Sequence, residues 1–179
     1  MSLPFAILGL LTFEPMSGYT LKTRYFDGSI AHFWPADQSQ IYRTLQALES
    51  DGDVVGREAA SDQRPKSRIY AITEIGQARL HAWLAQARPS QVQRNGFLVQ
   101  LYFGRLLSRD QLLAVLKARR EEHVQQRDYF LALQMPVADS DEMRRQLIFG
   151  GMTLDLGRRR ETMMVEWLDA CIATVSALE

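Results

Sequence analysis

The feature that most constrains the fold is an amphipathic helix followed directly by two β-like segments. Between positions 37 and 52, apolar residues recur at spacings of four and three, the period of a helix with one buried face, at Ile41, Leu45 and Leu48. Gly52 supplies a helix stop. Segments 53–57 and 67–73 then show the period of strands, and the polar stretch between them contains a proline. We therefore expect a helix followed by a β-hairpin with an exposed loop.

Three further helices complete the first half of the chain. Each predicted helix start carries a residue whose side chain caps the first turn. A helix that begins after Ser2 and a helix over residues 18–26 precede the amphipathic helix, and a helix over residues 74–87 follows the hairpin. The predicted capping residues of the four helices are Ser2, Ser17, Asp37 and Thr73, with Gln40 completing a capping box at Asp37. Three helices, a hairpin and a fourth helix are the element order of a winged helix-turn-helix, which we assign to residues 1–88.

The second half of the chain is predicted to be helical throughout. Residues 89–96 are polar and are interpreted as a linker, and residues 97–179 as a helical dimerisation domain. A short apolar helix over residues 97–107 is followed by a long helix that begins after Ser108 and ends before Pro136. The fold class expected for the whole chain is mainly α: a winged helix-turn-helix followed by a C-terminal helical domain.

The last helix, over residues 142–177, carries a heptad-like apolar pattern. A long helix with such a seam usually needs a partner, and here we expect the same helix of a second subunit. Arg158 and Glu161 interrupt the seam and are expected to pair across it. The predicted dimerisation residues are Leu147, Leu154, Val165, Leu168, Ile172 and Val175.

The motifs of the first half resemble the PadR-like transcriptional regulators. The resemblance is carried by the segments AILGLL (6–11), SGYTLK (17–22), QSQIYRTLQALESDG (38–52) and RIYAITEIG (68–76). The second half resembles the longer C-terminal helical domain of one subgroup of that family. The resemblance implies a homodimer, binding to double-stranded DNA at a pseudopalindromic operator, and repression that a small-molecule effector relieves.

The predicted DNA contacts lie on the helix 38–50 and on the hairpin. Gln, Ser, Tyr and Arg side chains hydrogen-bond base edges and phosphates, and cations at a hairpin tip neutralise phosphate charge. The alternative for both groups is a solvated polar surface. Asp53, at the start of the first predicted strand, places a carboxylate in a region expected to approach phosphate. The predicted contacts are Gln38, Ser39, Gln40, Tyr42 and Arg43 on the helix, and Arg64, Lys66 and Arg68 on the hairpin.

Aromatic residues on either side of the predicted linker offer an effector pocket. Trp34 lies in the segment that enters the helix 38–50, and it is alternatively a hydrophobic anchor for that helix. The residues predicted to line the pocket are Trp34, Phe97, Tyr102 and Phe103.

The charge balance limits how this chain can bind nucleic acid. Lysine and arginine number 21 and aspartate and glutamate number 21, so the net charge is zero. Any DNA contact must therefore depend on local clusters rather than on a global positive field. The zero net charge also leaves two alternatives open: a winged-helix adaptor module that binds proteins without binding DNA, and a ligand-binding sensor that acts through a protein partner.

No pattern in the sequence indicates an enzyme. The three histidines and Cys171 lie far apart, without metal-ligand spacing, and no glycine-rich phosphate loop or nucleophile motif occurs. We predict no catalytic residue, no metal and no cofactor. A single cysteine fits a reducing compartment, and the longest apolar run near the start, residues 5–11, is too short to cross a bilayer. We expect a cytoplasmic protein without a membrane partner.

Overall fold

The computed structural model describes residues 2–58, 68–87 and 94–178. The chain divides into two compact units, Met1–Ser90 and Gln91–Glu179. Most of the predicted linker lies outside the described residues, and the domain limits stay a prediction. Two residues assigned to the linker instead begin a helix: Asn95 caps it through its side chain, and Gly96 is its first residue.

The first unit contains the predicted helices and hairpin, together with one strand that was not predicted. Its helix α2 continues into π-helical turns over Leu21–Ser29, which are kinked at Gly28. The elements are α1 (Leu3–Leu11), β1 (Met16–Ser17), α2 (Gly18–Thr20), α3 (Gln38–Ser50), β2 (Val54–Glu58), β3 (Arg68–Ile72) and α4 (Glu74–Leu84).

Three of the four predicted caps are confirmed in this unit. Ser17 accepts a hydrogen bond from the Thr20 amide, and Thr73 accepts one from the Gly76 amide. Asp37 and Gln40 form the complete capping box at the start of α3. The fourth residue, Ser2, occupies the N-cap position of α1 as predicted, but its side chain makes no capping hydrogen bond.

The sheet has three strands rather than two. It is antiparallel in the order β1-β3-β2, and β1 pairs with β3 through Met16 opposite Tyr70 and Ser17 opposite Ile69. Strands β2 and β3 form the predicted hairpin, which runs from the pair Val54–Ile72 to the pair Glu58–Arg68. A two-residue strand has no periodicity of its own, so only its pairing with β3 reveals it.

The core of the first unit lies between α1, α3 and the sheet. The apolar stripe of α3 faces this core, as predicted, and Gly52 ends the turn after the helix with φ of 78°, a conformation that favours glycine. The buried residues of the core are Ile7, Leu8, Leu10, Leu11, Met16, Leu21, Phe26, Ala36, Ile41, Leu45, Leu48, Val54, Tyr70 and Leu80.

The regular elements of the second unit, among its described residues, are all helical. The predicted helix over 97–107 is interrupted at Phe103, because the chain tightens into a 3-10 turn at Gly104, against which the Leu112 side chain packs. Ser108 and Gln111 form a capping box at the next helix. The elements are α5 (Gly96–Tyr102), the 3-10 turn Gly104–Leu106, α6 (Arg109–Ala132) and α7 (Asp141–Ser176).

Helices α6 and α7 pack against each other as an antiparallel pair. Arg120 near the middle of α6 binds Asp169 of α7 through two hydrogen bonds of 2.5 and 3.2 Å. Further along, Arg158 of α7 donates to the carbonyl oxygens of Phe130 and Leu133, at the end of α6. A cation at the C-terminal end of a helix also stabilises the helix, because it interacts favourably with the helix dipole.

The apolar seam of α7 packs against α6 of the same chain, and its part in a dimer stays a prediction. Leu168 is fully buried, and Val165 and Val175 are nearly so. Leu168, Val175 and the half-buried Ile172 share a core with Phe97 and Leu116. Within the chain, these side chains are therefore already buried. The remaining two predicted seam residues, Leu147 and Leu154, are half-buried.

Within the chain, Arg158 and Glu161 bond to α6 and not to each other. Arg158 binds the two carbonyl oxygens at the end of α6, and Glu161 accepts its bond from His123 of α6, with Nδ1 and Oε2 separated by 2.5 Å. Both polar residues thus join α7 to α6 within one chain.

None of the helices in the three described ranges has the length and apolar character that crossing a membrane requires.

Candidate nucleic-acid interface

Helix α3 presents one polar face to solvent while its other face is fixed in the core. Ile41 and Leu45 are completely buried and Leu48 nearly so, which holds the helix in one rotation about its axis. The opposite face carries side chains that hydrogen-bond bases and phosphates. Its exposed residues are Gln38, Ser39, Gln40, Tyr42, Arg43 and Gln46.

The start of α3 is fixed by its capping box. Asp37 Oδ1 accepts from the Gln40 amide at 2.7 Å, and the Asp37 amide donates to Gln40 Oε1 at 3.0 Å. The Gln40 side-chain oxygen therefore already accepts a hydrogen bond. The main role of this residue is to order the N-terminus of α3. Gln38 and Ser39, in the same turn, are exposed.

Tyr42 and Arg43 occupy the middle of the exposed face. The Tyr42 ring packs against Gly18 of α2 and keeps 36% of its surface exposed. Arg43 donates from Nε to the Ser39 carbonyl oxygen at 3.3 Å, which aligns its guanidinium along the first turns of the helix. Packing and hydrogen bonding thus restrict both side chains before any ligand is present.

The predicted hairpin contacts divide into two groups. Arg64 and Lys66 lie outside the described residues. Arg68, the first residue of β3, binds Glu49 of α3, with Nη2 and Oε1 separated by 2.5 Å. The Arg68 guanidinium and the Gly56 amide hold the pKa of the Glu49 carboxyl below its ordinary value.

Glu49 is a partner of the hairpin that sequence reasoning missed. It follows the last apolar residue of the α3 stripe and has no local pattern of its own. Its partners, Gly56 and Arg68, are reached only when the hairpin folds back beside the helix.

Asp53 does not lie where the sequence suggested. It precedes β2, is only 1% exposed, and pairs with Arg79 of α4. Arg79 also donates to Asp51 at 3.1 Å. The acidic residue at the start of the hairpin is therefore buried and neutralised within its own unit.

The predicted effector residues have different surroundings in their own units. Trp34 is half-buried and packs against the core of the first unit, as the anchor interpretation expects. Phe97 belongs to the core of the second unit, where its ring lies edge-on to Trp167 at 6.2 Å between centroids. Tyr102 is 82% exposed and contacts the half-exposed Phe103 ring at 5.1 Å. Their assembly into one pocket stays a prediction.

In the described ranges, no group of three or more histidine, cysteine, aspartate or glutamate residues has an arrangement that could hold a metal ion.

Comparison with known families divides the chain in the same way as the two units. The model of the transcriptional regulator PadR-like family matches residues 7–82. The model described as virulence activator alpha C-term matches residues 93–176. Both units therefore have counterparts in known families.

Two curated relatives match nearly the whole chain. The negative transcriptional regulator PadR of Bacillus subtilis is 29% identical over 177 residues, with 97% of each chain covered. The probable transcriptional regulator Rv1176c of Mycobacterium tuberculosis is 32% identical over 180 residues, with 94% of this chain and 95% of the relative covered. Both relatives are regulators, which confirms the prediction that the chain is not an enzyme.

Solved structures of B. subtilis PadR share the fold. The structure in complex with operator DNA has a TM-score of 0.83 at 26% identity, and the match covers 98% of this chain and 99% of that one. The structure in complex with p-coumaric acid has a TM-score of 0.75 at 27% identity, with the same coverage. Together with the winged arrangement of α3, β2 and β3, these matches confirm the resemblance read from the sequence: the chain belongs to the PadR-like family of transcriptional regulators.

Proposed function

We propose that this chain is a homodimeric repressor that binds a pseudopalindromic operator through α3 and is released from it by a small molecule. The observation that carries the proposal is the exposed polar face of α3, which the buried stripe and the capping box hold in a fixed orientation. The relatives support it, since B. subtilis PadR is a negative regulator and has been solved with operator DNA. We expect this activity in the cytoplasm, where the proposed DNA target would be.

In this proposal α3 enters the major groove. Gln38 and Ser39 in the first turn reach base edges or the adjacent phosphates, and Tyr42 and Arg43 bind phosphate or bases in the next turn. Gln40 contributes its amide nitrogen while its oxygen stays in the capping box. The hairpin follows the flanking phosphates, and Arg64 and Lys66 remain predicted contacts there.

The proposed dimer surface is a second apolar stripe on α7, on the side of the helix away from α6. Its residues recur at spacings of three, four and seven and are all more than half exposed. An apolar stripe of this kind on a water-soluble helix indicates a partner, and a second copy of the same helix satisfies it symmetrically. Two α3 helices related by a two-fold axis would read half-sites one helical turn, or a multiple of it, apart. The stripe consists of Phe149, Met152, Leu156 and Met163, with Ile148 beside it.

The proposed effector is a small aromatic acid. B. subtilis PadR has been solved with p-coumaric acid, and this chain exposes the Tyr102 and Phe103 rings on its second unit. In this proposal the two DNA-binding units of the dimer have one arrangement that binds the operator and one that does not. A ligand that binds the second arrangement more tightly would shift the population towards it. We therefore expect p-coumaric acid to release the operator and Tyr102→Ala to weaken that release.

The test of operator binding is a fluorescence-anisotropy titration against DNA upstream of the protein's own gene, at low and high salt. We expect saturable binding that exceeds binding to random DNA and falls steeply with salt. Arg43→Ala should cost about 1–3 kcal/mol of binding free energy. The control Lys117→Ala removes an exposed cation from α6 and should leave the affinity unchanged.

Two outcomes would contradict the operator proposal. If no sequence selected from a random DNA pool binds better than bulk DNA, the adaptor alternative replaces it. If Arg43→Ala binds as tightly as the wild type, the assignment of the α3 contacts is wrong.

Sedimentation measurements test the dimer separately. Met152→Glu combined with Leu156→Glu should shift the protein from dimer to monomer, because two charges would be buried in the interface. Leu84→Glu, at an equally exposed leucine of α4, should leave the dimer intact. A wild-type monomer, or a variant that stays dimeric, would refute the stripe as the dimer surface.

A further inference from the structure

We propose that Glu49 and Arg68 form a latch that fixes the β-hairpin to α3, so that Arg68 positions the hairpin for DNA instead of binding a phosphate itself. The inference rests on the proposed operator binding and assigns a role within it. It changes the role of one predicted DNA contact and adds one residue, Glu49, that was not among them.

The latch joins three elements at one oxygen atom. Glu49 Oε1, on the last turns of α3, accepts from Arg68 Nη2 of β3 at 2.5 Å and from the Gly56 amide of β2 at 2.9 Å. Both strands of the hairpin are thereby tied to the helix that presents the proposed base contacts. A carboxylate with a guanidinium and a backbone amide as donors forms charge-assisted hydrogen bonds, which are short and directional.

The Arg68 side chain is held on a second side as well. Its guanidinium carbon lies 5.9 Å from the centroid of the Tyr70 ring, two residues further along β3. The Glu49 carboxylate on one side and the Tyr70 ring on the other thus orient the guanidinium towards α3 and along β3.

Gly56 leaves the space that the latch occupies. A Cβ atom at this position would lie 2.3 Å from Arg68 Nε and 2.8 Å from Glu49 Oε1. Any larger residue would therefore push the guanidinium away from the carboxylate. The glycine is required by this close approach, and its backbone needs no unusual conformation.

The position of the latch explains why it matters for DNA binding. The pair Glu58–Arg68 is the last pair of the hairpin ladder among the described residues, so a contact that fixes Arg68 fixes that end of the described ladder. Hydrogen bonds to phosphate tolerate only a few tenths of an ångström of misplacement. A hairpin that swings freely about its base would lose such contacts.

The two roles of Arg68 predict opposite effects of Glu49→Gln. If Arg68 binds phosphate, removing the Glu49 charge frees the arginine and removes a repulsive charge, so affinity rises or stays the same. If the latch positions the hairpin, Glu49→Gln and Arg68→Gln both weaken binding, and the double variant is no weaker than either single variant. We expect each to weaken operator binding about tenfold, which corresponds to about 1.4 kcal/mol.

Salt dependence separates the two roles further. A lost phosphate contact lowers the slope of log K against log salt by about 0.9. If the latch positions the hairpin, Glu49→Gln and Arg68→Gln change the slope equally, since both variants release the same hairpin. A lower slope in Arg68→Gln alone would overturn the proposal. Glu74→Gln, which removes an exposed carboxylate from the first turn of α4, is the control and should have no effect.

A measurement without DNA keeps the latch testable if operator binding fails. Hydrogen exchange of the Gly56 amide, followed by NMR in the full chain, reports its bond to Glu49 directly. We expect faster exchange in Glu49→Ala and in Arg68→Gln than in the wild type, with the exchange of Glu74→Gln unchanged. Unchanged exchange in both latch variants would refute the latch, whatever the DNA result. Faster exchange in a protein whose wild type binds no operator would refute only the proposed function.

Discussion

The buried carboxylate of Asp53 is paired with Arg79, which joins the start of the hairpin to α4. Arg79 reaches it from the surface, keeps a second bond to Asp51, and lies with its guanidinium carbon 5.9 Å from the Phe5 ring centroid. Phe5 in turn stacks on Trp83 of α4 at 4.6 Å. The acidic residue therefore belongs to the packing of α1, α4 and the hairpin base.

Arg79→Ala is expected to destabilise the fold because it leaves the Asp53 carboxylate buried without its cation. The expected loss is about 1–3 kcal/mol of the free energy of unfolding in urea. Asp53→Asn in the same variant should recover part of this loss, since it removes the unpaired charge. The control Arg24→Ala breaks the exposed pair with Glu14, which is worth about 0–1 kcal/mol. Equal losses in the two arginine variants would contradict the buried pairing.

Glu49 should titrate at lower pH than an ordinary glutamate. In the folded protein, the pKa of the Glu49 carboxyl lies below 4.5. The hydrogen bond from Arg68 is the largest cause, and the Gly56 amide also lowers it. A lowered folded pKa means that the latch contributes its full stability above about pH 4.5 and loses it as pH falls through the folded pKa. NMR titration of the Glu49 carboxyl carbon measures this midpoint. In Arg68→Gln the midpoint should move up towards 4.5, and an unmoved midpoint would show that Arg68 is not its principal partner.

Leu168→Ala is expected to cost about 2–5 kcal/mol of unfolding free energy, because it removes a completely buried side chain between α6 and α7. Leu131→Ala, at an exposed leucine of α6, should change the stability by less than about 0.5 kcal/mol. Both are measured by thermal and urea unfolding at two protein concentrations. If Leu168→Ala changed only the concentration dependence and not the unfolding free energy, the residue would belong to a subunit interface after all.

His123 is expected to stabilise the pairing of α6 and α7 through its bond to Glu161, which is 7% exposed. His123→Ala leaves the buried carboxyl group without this partner and should cost about 1–3 kcal/mol in urea unfolding. Glu161→Gln keeps a hydrogen-bonding oxygen at the same place and should cost less. A larger loss in Glu161→Gln than in His123→Ala would contradict this assignment.

Local signals were enough to predict most of the elements. The capping residues Ser17, Asp37 and Thr73 each bond an amide three residues later, so the sequence contains both partners within one turn. The stripe of α3 and the hairpin depend on neighbours two to four residues apart. The two-residue strand β1 has no such signal, and its partner β3 lies more than fifty residues away.

The candidate site was predictable on α3 and less so on the hairpin. The exposed face of α3 follows from the helical period, because the residues opposite the buried stripe must face solvent. In the sequence, Arg68 looks the same whether its side chain binds a phosphate or the Glu49 carboxylate. Only the return of the hairpin beside α3 brings Glu49 within hydrogen-bonding distance of it.

The periodicity of the sequence is enough to specify which faces of the helices are buried, since burial follows a period of three to four residues. What covers each face, and which charges meet, depends on long-range packing. Asp53 and Arg79 are 26 residues apart, Glu49 and Arg68 19, and His123 and Glu161 38. The apolar seam of α7 shows the difference, because its pattern is the same whether a second subunit or α6 of the same chain lies against it. Hydrophobic burial is non-directional, so the pattern specifies that the face must leave water and leaves the choice of partner to the folded chain.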